Sequence, residues 1–136
     1  MPSIFTRIIL GEIPCFKIAE TDEFIAFLDV SPLSPGHTLL VPKVEVDKFF
    51  DLSTEQIAAM MPLAHKIAKA QAVAIDCQRV GISVFGLEVP HAHMHLIPIR
   101  TAADMDFTKT REVYTAEQYM EIADRIKSHL PSELHR

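Results

Sequence analysis

Three histidines in Pro90-His91-Ala92-His93-Met94-His95-Leu96-Ile97-Pro98-Ile99 alternate with small or apolar residues. Successive side chains of an extended strand point to opposite faces. One strand over this segment would place His91, His93 and His95 on one face and Ala92, Met94 and Leu96 on the other. Neighbouring imidazoles would start about 6.6 Å apart, at roughly 3.3 Å of rise per residue. A lone histidine at a core boundary is ordinary, but a buried row of three is costly to desolvate and implies a task. Two chemistries compete. Imidazole is the commonest metal ligand, and His-x-His on a strand supplies two ligands. The alternative is nucleophilic catalysis on phosphorus, in which one neutral imidazole attacks and its neighbours position it. Stacked rings disfavour one another's protonation, most strongly at the centre, which keeps His93 neutral. Leu96 to Ile99 hold no carboxylate or thiolate, so a metal would need a distant partner.

The elements that must position this row are legible in outline. Ile4, Phe5, Ile8 and Ile9 have helical spacing over residues 3–11, with Gly11 as the stop. Strands are expected at Cys15–Ala19, Phe24–Asp29 and His37–Val41, the first two as a hairpin. Ser31-Pro32-Leu33-Ser34-Pro35-Gly36 is loop by composition. Residues 44–51 form a turn or short helix. Ser53 and Gln56 offer a capping box for a helix to about Ile75. Its apolar face would carry Ile57, Met60, Met61, Ala64, Ile67, Ala68 and Ile75, and Pro62 should kink or split it. His65, at the edge of that face, reads as structural. Arg79–Phe85 is the next strand. Residues 100–114 form a loop, and Thr115 and Gln118 cap a last helix to about residue 130, with Tyr119, Ile122, Ala123, Ile126 and Leu130 on one face. Residues 131–136 read as a loose tail.

The 136 residues suit one domain, and 49% hydrophobic content fills a core. A net charge of −5 without a basic run argues against a general nucleic-acid surface. No apolar run approaches the roughly 20 residues of a membrane span, and the N-terminus lacks a signal-peptide pattern. Cys15 and Cys77 form no Cys-x-x-Cys pair, which fits a reduced, cytoplasmic protein.

The row His-Ala-His-Met-His-Leu-Ile resembles the His-φ-His-φ-His-φ-φ signature of the histidine-triad (HIT) superfamily. Phe5-Thr6-Arg7-Ile8-Ile9-Leu10-Gly11-Glu12-Ile13-Pro14, Phe27-Leu28-Asp29-Val30-Ser31-Pro32 and Pro35-Gly36-His37-Thr38-Leu39-Leu40-Val41-Pro42-Lys43 resemble its other conserved blocks, in the family's order. The resemblance implies an α+β fold, with an antiparallel sheet of about five strands and packed helices. It implies a HIT domain at 3–107, followed by a C-terminal loop and helix extension at 108–136.

The implied activity is hydrolysis of nucleoside phosphate derivatives at the α-phosphate, through a nucleotidyl-histidine on His93. His91 would orient His93, and His95 and His37 would meet the phosphate or assist the leaving group. Asp29 would hold the ribose, while Phe5, Ile8, Leu28 and Val89 enclose the nucleoside. A homodimer is implied, and no metal or other cofactor. Many members carry Cys-x-x-Cys near the N-terminus as part of a zinc site, and the equivalent positions here are Ser3 and Thr6. The family's Gly-Gln-Ser/Thr-Val ahead of the triad becomes Gly86-Leu87-Glu88-Val89. If the triad strand extends back through residue 88, parity turns Glu88 away from the histidines. A nucleotide-binding module with little turnover, or a metal-binding protein using the His row, are the alternatives.

Overall fold

The computed structural model describes residues 1–136. Three helices and five strands follow one another as α1 (Ile4–Ile9), β1 (Lys17–Glu20), β2 (Phe24–Leu28), β3 (Thr38–Pro42), α2 (Thr54–Ala74), β4 (Arg79–Ser83), β5 (Met94–Ile99) and α3 (Ala116–Lys127). Short 3₁₀ turns occupy Phe49–Asp51, Ala102–Met105 and Ser132–Leu134. The strands form one antiparallel sheet in the order β1-β2-β3-β5-β4. This is the α+β architecture expected from the sequence.

Period-two alternation assigns each strand residue to a face. Phe24, Ala26, Leu28, Leu40, Met94 and Leu96 enter the large core shared with α2 and α3. Ile25, Phe27, Leu39 and Val41 enter a smaller cluster with Phe5 of α1. Both faces of β2 and β3 are therefore buried, one beneath the long helices and the other beneath the N-terminal helix.

Local chemistry explains the helix ends. Ser3 caps α1 by accepting from the Thr6 N–H. The chain leaves α1 through Gly11 at φ 79°, where the Gly11 N–H reaches Ile8 O and the Glu12 N–H reaches Arg7 O, a Schellman closure that a residue without Cβ adopts at no steric cost. Both expected capping boxes form, Ser53 with Gln56 and Thr115 with Gln118.

Several expectations are corrected. Pro62 does not split α2, which runs unbroken for 21 residues. Pro62 and Ala58 are both exposed, so the carbonyl freed by the missing N–H faces water. The buried face of α2 carries Leu63, Ala70, Gln71 and Ala74 beside Met60, Ala64 and Ile67, while Met61 is exposed. Gln71 is buried because its amide donates to Gly36 O, Thr38 Oγ1 and Leu96 O, tying α2 to the Pro-Gly loop and the sheet. The 131–136 tail is anchored by Leu134, which joins the large core together with Tyr119, Ala123, Ile126 and Leu130 of the α3 region.

The triad strand is also shorter than expected. It begins at Met94, and residues 86–93 are not strand. The β3–β5 register pairs Thr38 with Leu96, Leu39 with His95 and Leu40 with Met94. Continued, it would set Ala92 against Pro42, which has no N–H to donate. The Pro42 carbonyl instead accepts from the His91 ring at 2.8 Å, and the Ala92 N–H goes to Val46 O at 2.7 Å.

Candidate active site

Only His95 sits on the strand ladder, between Leu39 of β3 and Ser83 of β4. His93 and His91 lie on the loop that leads into it. The rings nevertheless stay together on one side of the sheet. His93 and His95 have ring centroids 4.9 Å apart, and Phe5 of α1 packs edge-on against His93 at 5.0 Å and His91 at 5.7 Å. All three are buried, as is His37 just ahead of β3.

Hydrogen bonds assign the ring protons. The Leu33 N–H donates to His37 Nδ1 at 3.0 Å, so the proton of neutral His37 is on Nε2. That Nε2–H donates to His95 Nδ1 at 2.9 Å, which leaves the His95 proton on Nε2. His93 Nδ1–H donates to the His91 carbonyl at 2.7 Å, so His93 Nε2 carries a free lone pair. The His91 Nε2–H donates to Pro42 O, and its Nδ1 accepts the Ser3 hydroxyl at 2.7 Å.

Neutrality comes first from burial rather than from mutual repulsion. Desolvation pushes His37 and His95 down to about 3, with neighbouring histidines and Arg111 adding smaller contributions. His93 is lowered too, again chiefly by burial, while its bond to the His91 carbonyl acts in the opposite direction. The largest shifts thus fall at His95 and His37 and not at the centre of the row.

A cleft of about 290 Å³ opens beside the histidines. Phe5, Ile8, Leu28, Asp29 and Val89 all line it, together with His93 and His95. His37 and His91 do not line it; they stand behind His95 and His93. Asp29 follows β2. Its Oδ1 accepts the Ser31 N–H at 2.8 Å, and its Oδ2 lies 3.5 Å from His37 Nε2. Burial raises the Asp29 carboxyl to about 6, against the lowering pull of the Ser31 N–H and Arg111. A second depression of about 280 Å³, lined by Lys48, Phe49, Phe50, Phe85 and Gly86, also reaches His93. His93 is the residue common to both.

Glu88 corrects the parity expectation. Because residues 86–90 are not strand, parity does not apply, and Glu88 lines the cleft with His93 and His95. Its carboxylate pairs with Arg111 at 3.3 Å. Arg111 also donates to Ser31 O at 2.6 Å and lies over the Phe107 ring. Phe107 packs edge-on against His95 at 4.8 Å, and Phe85 stacks on the same imidazole at 5.7 Å. Sequence reasoning missed Arg111, Phe107 and Phe85 as site residues. It also missed Glu45, which accepts the Ser3 N–H at 2.7 Å and the Thr6 hydroxyl at 2.5 Å.

The geometry bears on metals. The three triad histidines do not converge on a shared point, since both His91 nitrogens and His93 Nδ1 are engaged elsewhere. Asp29, His37 and His95 do bring one ligand atom each within 4.8 Å of one another, but their facing nitrogens are already joined by a hydrogen bond. At the N-terminal position, Ser3 and Thr6 offer hydroxyls, which are not zinc's usual donors, and His91 Nδ1 is occupied by Ser3. Ser3 and Thr6 therefore do not fit a zinc ion.

The HIT domain family profile matches residues 10–102. The adenosine 5'-monophosphoramidase of Schizosaccharomyces pombe is 40% identical over 103 residues, covering 72% of this chain and 74% of the yeast protein. A Hit-like protein from Bartonella henselae, described as involved in cell-cycle regulation, superimposes with a TM-score of 0.82 at 31% identity, covering 94% of this chain and 96% of that one. A zinc-bound histidine triad protein from Mycobacterium smegmatis gives a TM-score of 0.79 at 25% identity, covering 93% and 91%. Together with the buried histidine row beside its cleft, these matches show that the chain belongs to the HIT family.

Proposed function

We propose that this HIT-family enzyme hydrolyses nucleoside phosphate derivatives at the α-phosphate through a nucleotidyl-histidine on His93, releasing a nucleoside monophosphate. The observation that carries the reading is the His93 tautomer. Its Nδ1–H is held by the His91 carbonyl at 2.7 Å, which leaves the Nε2 lone pair unprotonated on a ring that lines the cleft. The similarity to a yeast adenosine 5'-monophosphoramidase makes a phosphoramidate, with an amine leaving group, the first substrate class to test.

In the first step the His93 Nε2 lone pair forms a bond to phosphorus. The bond to the leaving group breaks, and that group departs with the electron pair and takes a proton from solvent. In the second step water attacks phosphorus, the P–N bond breaks back onto Nε2, and the proton of the water returns to solvent. Two easier steps replace one hard one. His95, with its proton on Nε2, donates to a phosphate oxygen. His37 holds His95 in that tautomer and acts through it. Asp29 accepts from the two ribose hydroxyls, a charge-assisted pairing, and Phe5, Ile8, Leu28 and Val89 enclose the base. Backbone and imidazole donors supply the charge stabilisation, so no metal is required.

The experiment is turnover and adduct mapping. Wild type is acid-quenched on a nucleoside phosphoramidate and its peptides are weighed. A nucleotide on the peptide containing His93 is expected, as is a loss of several powers of ten in turnover for His93→Ala with nucleotide affinity kept. Adduct on His91 or His95, or near-normal turnover in His93→Ala, refutes the reading. Turnover that chelator abolishes and zinc restores favours the metal reading instead.

We also infer a homodimer. β4 is an edge strand with Ile82 exposed, and pairing there would hide unpaired backbone groups next to the triad strand. The two free cysteines suit a reducing, cytoplasmic setting.

A further inference from the structure

The segment Pro42–Val46 touches the triad loop at successive points. The Pro42 carbonyl takes the His91 Nε2–H, the Glu45 carboxylate holds the residues that contact His91 Nδ1, and the Val46 carbonyl takes the Ala92 N–H. Each polar proton in this cluster has one short acceptor, the further contacts of the Ser3 and Thr6 hydroxyls being 3.4 Å. Ser3 Oγ accepts the Thr6 N–H at 3.0 Å and donates its own proton to His91 Nδ1 at 2.7 Å. The Thr6 hydroxyl and the Ser3 N–H both go to Glu45 Oε1. The Thr6 hydroxyl, and then the Ser3 N–H, hold the Glu45 carboxyl below its ordinary range. Reversing the His91 tautomer would set an unprotonated Nε2 against the Pro42 carbonyl, acceptor facing acceptor, inside a fully buried pocket.

We propose that Ser3 and Glu45 are positioning residues for the transfer step: a metal-free clasp of hydroxyl and carboxylate that fixes the His91 ring and, through the His91 carbonyl, aims Nε2 of His93. Ser3 and Glu45 line neither of the depressions that reach His93. Their effect passes through the 2.7 Å bond from His93 Nδ1 to the His91 carbonyl. The inference rests on the reading of His93 as nucleophile.

Ser3 also caps α1, which carries Phe5 and Ile8 into the cleft, so the test must separate capping from clasping. Glycine caps a helix nearly as well as serine, whereas alanine does not. Ser3→Gly therefore deletes the hydroxyl and largely spares the cap, Ser3→Ala deletes both, and Ser3→Thr keeps both. Glu45→Gln, at a half-exposed side chain, tests the carboxylate separately.

Long-range proton–nitrogen correlation spectra of the ligand-free protein read the ring tautomers. Wild type and Ser3→Thr should show His91 with its proton on Nε2 and His93 with its proton on Nδ1. Ser3→Gly and Ser3→Ala should keep the Nε2 proton, which the Pro42 carbonyl holds, but move the His91 Nδ1 resonance away from its hydrogen-bonded position as the 2.7 Å bond from the Ser3 hydroxyl is lost. In steady-state kinetics on a nucleoside phosphoramidate, both should lower kcat about tenfold, equivalent to about 1.4 kcal/mol of transition-state stabilisation. KM should rise only in Ser3→Ala, Ser3→Thr should recover kcat, and Glu45→Gln should lower kcat less than Ser3→Gly does. An unchanged His91 Nδ1 resonance in Ser3→Gly, or a loss confined to KM, overturns the clasp. If His93→Ala keeps its turnover while the spectra follow expectation, it is the nucleophile reading that fails and not the clasp.

Discussion

Asp29→Asn should make the protein more stable at neutral pH and less able to hold a nucleoside. Burial raises the Asp29 carboxyl from 3.8 to about 6. A raised carboxylate pKa means the folded chain keeps its proton to higher pH than the unfolded chain, so stability falls as pH rises between those values. The penalty is full above pH 6 and gone below 3.8. At roughly 1.4 kcal/mol per unit, ionised Asp29 costs the fold at most about 3 kcal/mol. The side chain is only 14% exposed, so screening reduces this little. Asparagine can keep the acceptor for the Ser31 N–H, but its NH₂ would then face the His37 Nε2–H, donor against donor, which costs about 1 kcal/mol. The net gain should be about 1–2 kcal/mol at pH 8, read from urea unfolding, and should shrink sharply by pH 4.5. Nucleoside monophosphate affinity should fall at least about tenfold at pH 8, since two charge-assisted bonds to the diol weaken. No gain in stability at pH 8, or a gain of equal size at pH 4.5, would refute the reasoning.

Acid should destabilise the protein in a defined window. His37 and His95 are held near 3 when folded, against 6.5 for the free side chain, so the unfolded chain binds more protons between these values. Their contribution is full above pH 6.5 and is lost as pH falls toward 3, by about 1–3 kcal/mol per pH unit before the opposing trend of Asp29 is subtracted. Urea midpoints that stay flat from pH 6.5 to 4.5 would contradict this. Gly36→Ala should destabilise by about 1–3 kcal/mol, because φ is +87° there and a Cβ would lie 2.9 Å from Ile75 Cγ1; thermal unfolding measures it, and an unchanged midpoint would show that the loop relaxes freely. Ile82→Glu on the β4 edge should convert a dimer to monomer in sedimentation, and a wild type that already sediments as a monomer would remove the dimer inference.

Much of this architecture is written locally in the chain. Short, nearly continuous apolar runs place β2 and β3, Pro and Gly end the strands, and Ser53-Gln56 and Thr115-Gln118 announce two helices before any packing is considered. The histidine row was visible as a chemistry-bearing pattern, whereas Asp29 by itself reads as a turn-starting aspartate and was singled out only by the family resemblance. What escaped depends on contacts distant in sequence. Glu45 reaches Ser3 across 42 residues, and Arg111 reaches Ser31 across 80, and neither distance leaves a periodic trace. The early end of the β5 ladder was missed because its cause lies in Pro42, on another strand. Met61 and Leu63 exchange places on α2 because residues 57–64 are all apolar and cover every side of the helix, so only the neighbouring sheet decides which is covered.

That early end divides the histidines between two kinds of scaffold. The backbone of His95 lies inside a ladder bonded on both sides, and should open only when the whole domain does. His93 and His91 hang from a loop whose N–H bonds run to single carbonyls, Ala92 to Val46 and His91 to Val89, and can be released locally at far lower cost. The ring proposed to meet the phosphate and the ring proposed to attack it therefore answer to different parts of the folding free energy. On the proposed roles, changes at residues 43–46, which lie outside the strands, would retune the ring of His93 with less effect on the sheet, giving natural drift a place to alter rate apart from the fold's overall endurance.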